Sequence, residues 1–170
     1  DMAKDWQVRK RRPVRKKNIA PLLKNLEEHL GLNLNIDDAF LEMAEYGNWQ
    51  LVLLDRVPHV VQVKNPEGKD CAILTLRGLL AHSCSQMYAE VDRGAIPFLM
   101  NGADCMAAGI HNADSNITAG DLVWIRDQEH GRALAIGWAK LSGEGMVASQ
   151  KGKAIQTIHY VGDELWEMEL

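Results

Sequence analysis

Aromatic residues are scarce in this chain. Phe, Trp and Tyr together make up 6% of its 170 residues, and they nowhere form the paired run that an RRM-type base-stacking sheet requires. Long apolar runs are missing too. No stretch approaches the ~20 residues of a bilayer-crossing helix, which excludes a helical membrane span. The basic start has no apolar segment behind it, so no secretory signal is expected and the cytoplasm is the expected compartment. The three cysteines, Cys71, Cys84 and Cys105, are odd in number and widely spaced, matching neither a disulfide framework nor a CxxC pair. They read as reduced thiols, with Cys71 and Cys105 serving as small apolar residues within strands.

Signatures of catalysis are equally absent. There is no GxxxxGK[ST] phosphate loop, no HxxxH or HxE…CxxC metal pattern and no nucleophile elbow beside Ser83, Ser85 or His82. His111, His130 and His159 are scattered, and Asp37-Asp38 and Asp163-Glu164 stand in turn-like contexts where capping explains them. No catalytic residue, metal or cofactor is expected.

Charge is what the chain has in an unusual arrangement. The net charge is only −4, yet nine of the nineteen basic residues fall within the first twenty-four positions, against Asp1 and Asp5 alone. The start therefore carries +7 and the remainder −11. The basic residues Lys4, Arg9, Lys10, Arg11, Arg12, Arg15, Lys16, Lys17 and Lys24 form a footprint for a polyanion on an otherwise acidic protein.

With 46% apolar residues, the length suits two small domains, divided near residue 86. In the first, Trp6 to Arg12 predicts an edge strand limited by Pro13. Ile19, Leu22, Leu23, Leu26 and Leu30 predict a helix that Gly31 ends. It should begin near Ile19 or Ala20, which puts Pro21 in its first turn. Alternation from Leu32 through Ile36 and on to Glu45 predicts strands. Trp49–Leu54, His59–Lys64 and Cys71–Thr75 continue an antiparallel meander, closed by a short helix over Leu76–Ala81. An α+β domain over residues 1–86 follows.

The second domain, residues 87–170, is punctuated by glycine and predicts a compact, mostly β pseudo-barrel. Strands are expected over Leu122–Arg126, Arg132–Leu141 and Lys153–Tyr160, with Glu164–Met168 completing a final hairpin. Gly143–Ser149 reads as a helical turn. Trp124, Trp138 and Trp166 read as core.

Four elements in order carry a resemblance. Gly94-Ala95 opens a very short apolar helix, Asn101-Gly102-Ala103 follows it, Gly109-Ile110 comes next, and Gly120-Asp121 starts a strand. This order resembles the PUA domain, a small RNA-binding pseudo-barrel, over roughly Val91 to Met168. A basic α+β domain containing Leu-Thr-Leu-Arg-Gly-Leu-Leu (Leu74–Leu80), followed by such a barrel ending in IHYVGDELW, resembles the MCT/Tma20 translation-associated family. The compact size and short loops point to an archaeal member. One departure is Ala107-Ala108-Gly109, where the family often carries proline before the glycine.

The resemblance implies a noncatalytic RNA-binding protein associated with translation, contacting ribosomal RNA or tRNA, with the small ribosomal subunit and a translation factor as partners. It implies PUA-domain contacts at Arg93, Gly94, Ala95, Pro97, Ala108, Gly109, Lys151 and Lys153. Ile96 and Met106 lie in the same stretch and read as core. The basic-segment contacts are Arg9, Lys10, Arg11, Arg12, Arg15, Lys16 and Lys17. The alternatives are an adaptor for a translation factor and, further off, an RNA-modification enzyme or its accessory subunit.

Overall fold

The computed structural model describes residues 6–170; Lys4, Asp1 and Asp5, counted above in the basic start, lie outside them. The chain divides into two compact units, one running up to Cys84 and including Glu169–Leu170, the other Ser85–Met168.

The first unit is an antiparallel meander in sequential order: β1 (Val8–Pro13), β2 (Leu41–Tyr46), β3 (Trp49–Leu54), β4 (Val57–Lys64) and β5 (Asp70–Leu74). β1 is an edge strand, and Pro13, with no N–H to donate, is its last residue. The hairpin turn of Asp55 and Arg56 has positive φ at both positions, as two-residue hairpins favour. The Asp55 carboxylate secures this turn by accepting from the Phe40 N–H at 2.9 Å.

Helix α1 spans Lys16–Leu30 and buries Ile19, Leu22, Leu23, Leu26 and Leu30, ending at Gly31 in the left-handed conformation. It starts earlier than expected, so Pro21 lies inside it. A proline there costs about 3 kcal/mol through the bond it cannot donate. Five buried aliphatic side chains at roughly 1.5–3 kcal/mol each outweigh that cost.

The strand expected from Leu32 does not form before Leu41. Side chains capture the backbone donors instead: the Glu27 carboxylate accepts from the Leu34 N–H at 2.6 Å, and Ile36 alone of the alternating set is fully buried. Helix α2 (Leu76–Ala81) closes the unit. Thr75 caps it by accepting from the Gly78 N–H and donates its own hydroxyl to the Pro58 carbonyl.

The second unit is a curled mixed sheet in the order β7 (Cys105–Met106), β11 (Lys153–Tyr160), β10 (Ala133–Ala139), β9 (Leu122–Asp127), β6 (Tyr88–Val91) and β8 (Ile110–Ala113). Only the β6–β9 pair is parallel. Gly137 sits at a register shift in β10 where an added Cβ would lie 2.2 Å from the Gln156 carbonyl oxygen, so only glycine lets β11 approach. Helices α3 (Ile96–Leu99) and α4 (Gly143–Ser149) complete the pseudo-barrel. The chain is thus an α+β unit followed by a mostly β barrel.

The last hairpin does not close as predicted. Glu164–Glu167 is a short helix, α5, because Asp163 caps it by accepting from the Trp166 N–H while also taking the Tyr160 N–H and the buried His159 ring. Trp124 is core, its Nε1 donating to the Gln86 carbonyl at 2.7 Å, whereas Trp138 and Trp166 are half-buried. Cys105 is buried, and Cys71 is partly exposed.

Candidate nucleic-acid interface

In the second unit the chain leaves β6 at Asp92, makes a 3-10 turn over Arg93–Ala95, enters α3, returns through Asn101-Gly102-Ala103 to β7, and makes another 3-10 turn over Ala107–Gly109. The two 3-10 turns touch. An added Cβ at Gly109 would lie 3.2 Å from the Cβ of Ala95, and the Asp92 N–H donates to the Gly109 carbonyl. Between them lies a groove of about 310 Å³ whose walls include Gly94, Ala95, Phe98, Met106, Ala108 and Gly109.

Four of the PUA positions implied by the resemblance therefore line one concavity: Gly94, Ala95, Ala108 and Gly109. Gly94 has open space above it, since an added Cβ would meet only the Asp92 carboxylate at 3.4 Å. Its backbone is free for close approach by a ligand. Pro97 is exposed on α3, and Arg93 is exposed with one terminal nitrogen on the Glu129 carboxylate at 2.7 and 3.0 Å. Lys153 pairs with Asp104 at 2.8 Å, and Lys151 is exposed just before β11. Neither lysine is a wall of the groove.

Two side chains alter the picture drawn from sequence. Met106 is not core but half exposed on the groove wall, because β7 is only two residues long and buries Cys105 instead. Phe98 is 67% exposed, beside the fully buried Leu99. A four-residue helix has one inward face, so one of two adjacent apolar residues must point out. That pairing was the available signal for Phe98. An exposed phenyl ring beside accessible backbone can stack an unpaired base.

Of the groove's titratable side chains, Cys105 is held protonated and Asp104 is already engaged, while Asp92 makes no side-chain capping bond. Burial pushes the Cys105 thiol up to about 12, with Asp104 and Asp92 adding to the effect, so the sulfur stays protonated. Asp104 is occupied by Lys153 and by the Thr157 N–H at 3.0 Å. Among the described residues no group of three or more His, Cys, Asp or Glu could hold a metal ion.

In the first unit the basic run is split by its partners. Arg11 donates through Nε at 2.8 Å and Nη2 at 3.0 Å to the Glu42 carboxylate. That hydrogen bonding holds Glu42 below the usual carboxylate range, against the opposing effect of burial. Lys10 reaches Glu45 at 3.6 Å, and Lys16 pairs with Asp37. Arg9 is exposed on the edge strand, and Arg12, Arg15 and Lys17 are exposed around the β1–α1 connection. Among the described residues these four have no ion pair. The first turn of α1 contains no acidic residue, and its N-cap Arg15 makes no side-chain capping bond, so the helix dipole adds to the positive potential there.

A histidine contact is also present that spacing does not reveal. His59 Nδ1 on β4 lies 3.2 Å from His82 Nε2, just after α2. Burial lowers the basicity of both rings, and for His59 the neighbouring His82 lowers it further while Asp55 opposes.

The comparisons with known proteins agree with this architecture. The PUA domain family matches residues 87–161. An uncharacterised protein of Methanocaldococcus jannaschii is 36% identical over 168 residues, covering 96% of this chain and 99% of that protein. A Drosophila melanogaster homologue of malignant T-cell-amplified sequence 1 is 30% identical over 145 residues, covering 84% of this chain and 78% of that protein. Translation machinery-associated protein 20 of Schizosaccharomyces pombe is 35% identical over 94 residues, about half of each chain at 52%. Among solved structures, a hypothetical protein from the archaeon Pyrococcus horikoshii superposes with a TM-score of 0.77 at 30% identity, covering 92% of this chain and 98% of that one. The Methanocaldococcus and Drosophila matches each extend over more of the chain than either unit alone, and the chain belongs to the MCT/Tma20 family of PUA-domain proteins.

Proposed function

We propose that this protein is a noncatalytic RNA-binding component of translation in the cytoplasm, which holds ribosomal RNA or tRNA in the PUA groove while basic residues of the first unit contact the phosphate backbone. The observation that carries this reading is the groove itself: an apolar concavity with an exposed phenyl ring at Phe98 and accessible backbone at Gly94. Such a surface suits an unstacked base better than a reacting substrate. Arg93, Pro97, Lys151 and Lys153 border this reading as contacts to the flanking nucleotides. The name of one relative, translation machinery-associated protein 20, supports a place in the translation machinery; the small ribosomal subunit and a translation factor are the partners this reading proposes. Burial keeps the Cys105 thiol beside the groove protonated, which suits a surface that holds a ligand more than one that attacks it.

Crosslinking to RNA in cells, followed by mapping of the joined positions, tests the reading. Crosslinks concentrated in rRNA or tRNA and centred on the PUA groove are expected. Retention of a translation factor without any RNA at low salt would replace this reading with that of a protein adaptor.

A further inference from the structure

The basic residues are close in sequence but not equivalent in space, and this difference separates structural cations from available ones. Lys10, Arg11 and Lys16 each face a carboxylate of their own unit: Glu45, Glu42 and Asp37 respectively. Arg12, Arg15 and Lys17 instead line a single open groove of about 770 Å³, together with Pro13, Val14 and Asn18. Among the described residues no carboxylate lines that groove. We propose that this groove is the phosphodiester-binding site of the first unit, with Arg12, Arg15 and Lys17 as its cations, and that Lys10, Arg11 and Lys16 serve the fold. The proposal rests on the RNA-binding reading above and assigns which residues carry it out.

Three physical points support the division. An arginine already held by a carboxylate through two nitrogens must break those bonds to meet a phosphate, so its gain on binding RNA is small. Cations without a carboxylate partner release counterions from the RNA at no such cost, and the binding free energy of a polyanion comes largely from that release. The groove walls are also fixed before binding. The Val14 N–H donates to the Leu41 carbonyl at 3.0 Å and the Asn18 N–H to the Arg15 carbonyl at 2.9 Å, so the β1–α1 connection does not need to order on contact. The guanidinium of Arg15 matches a phosphate's paired oxygens, that of Arg12 donates Nη1 to the Lys10 carbonyl at 2.7 Å and keeps its other nitrogens for a phosphate, and Lys17 adds a point charge. The apolar Pro13 and Val14 between them offer nothing to a base edge, and three cations against the single amide of Asn18 weight the groove toward phosphate. The expected ligand is therefore the backbone of RNA, read without regard to sequence.

Two triple variants of the full-length chain test this, R12S/R15S/K17S in the groove and K10S/R11S/K16S among the paired cations, each removing three positive charges. Affinity for a hairpin and for a single strand of equal length is measured from about 50 to 300 mM salt, and folding by thermal melting. The groove variant is expected to melt like the wild type, lose roughly tenfold or more in affinity at the low-salt end, and show a salt slope shallower by about 0.7 for each phosphate it no longer neutralises on the single strand. The paired-cation variant is expected to keep the wild-type salt slope while melting lower. Equal flattening of the slope in both variants, or an unchanged slope in the groove variant while the wild type binds RNA, overturns the proposal and leaves the PUA reading standing. Wild-type protein that retains no RNA at about 50 mM salt, where phosphate neutralisation is strongest, overturns both. Single variants R12S and R15S guard against a folding defect in the triple, since each is expected to shift the slope by about the share of one phosphate. Loss of binding to phosphatidylglycerol vesicles in the groove variant, with RNA affinity unchanged, overturns the assignment to RNA.

Discussion

Arg11 and Glu42 form a fork in which both carboxylate oxygens accept from the guanidinium, joining β1 to β2 across the edge of the first sheet. Glu42 is buried, 6% exposed, on a face where an unpaired carboxylate would be costly. E42A is expected to lower the melting temperature by several degrees, because it removes the acceptor and leaves the guanidinium without its partner. The double variant R11M/E42M is expected to recover part of the loss, since neither charge then remains. Melting temperatures of the wild type and the two variants check this. A double variant that melts below E42A would show that the pair does more than compensate its own charges.

The same pair shows what sequence could and could not display. The run from Arg9 to Lys17 was legible as a concentration of charge, but the carboxylates that divide it, Glu42, Glu45 and Asp37, lie twenty or more positions downstream; strand pairing brings the first two near, and the turn between α1 and β2 the third. Periodicity revealed the buried stripe of α1, because that signal is local. It also suggested a strand from Leu32, where the alternation is real but the Glu27 side chain and the turn at Ile36 take the backbone donors. In the second unit, glycine order located the groove, with Gly102 at positive φ and Gly109 closely packed on Ala95, while Gly94 stands in open space. The outward faces of Phe98 and Met106 depended on α3 and β7 being only four and two residues long. Helix α5 was hidden in a segment that reads equally well as a strand until Asp163 is seen to cap it.

The His59–His82 contact gives folding a pH dependence with a definite sign. Both rings have lowered pKa values in the folded chain relative to the ordinary 6.5. The unfolded chain therefore binds more protons as pH falls, and folding loses stability. The contribution is complete above the unfolded value near 6.5 and is lost as pH drops through the lowered folded values. Glu42 acts in the same direction at lower pH, beneath its ordinary 4.5. Melting temperatures at successive pH steps between about 7.5 and 5 are expected to fall for the wild type. H59Q/H82Q is expected to flatten this part of the profile while leaving the steeper acid limb. A wild-type profile that is level across this range contradicts the prediction.

Gly78 is where α2 packs directly on β4. A Cβ there would lie 2.3 Å from the His59 carbonyl oxygen, and backbone cannot yield as a side-chain tip can. G78A is expected to cost ~1–3 kcal/mol, the range for an overpacked interior. A urea titration with unchanged slope but a lower midpoint is the expected result. This glycine lies in the Leu-Thr-Leu-Arg-Gly-Leu-Leu segment, so the test also shows why that motif requires a residue without a side chain.

Cys105 should be chemically silent while the protein is folded. Its thiol is buried, and burial with two neighbouring carboxylates pushes it up to about 12, so almost no thiolate exists in mildly alkaline solution. Iodoacetamide under those conditions is expected to label Cys71 and Cys84, which are partly exposed, and to reach Cys105 only after urea is added. Mass spectrometry of the labelled peptides reads all three sites at once. Rapid labelling of Cys105 in the folded chain would mean that the groove floor opens.

Phe98 and Gly94 allow stability and RNA affinity to be separated in the groove itself. Phe98 is mostly exposed, so removing its ring forfeits little packing, and F98A is expected to melt within about a degree of the wild type, as surface changes within about ±0.5 kcal/mol do. If a base stacks there, the same change costs ~1–3 kcal/mol of binding, roughly 5- to 150-fold in Kd. Because every base presents a ring face, the loss should be similar across RNA sequences of equal length. G94A makes a complementary test: the added methyl finds space in the free protein beside the Asp92 side chain, so folding should be unaffected. It occupies the volume through which RNA backbone would approach, so affinity should fall. Weaker affinity in both variants with unchanged melting fits RNA in this groove. Wild-type affinity in both, in a chain that still binds RNA with a steep salt slope, places the RNA on the basic unit alone.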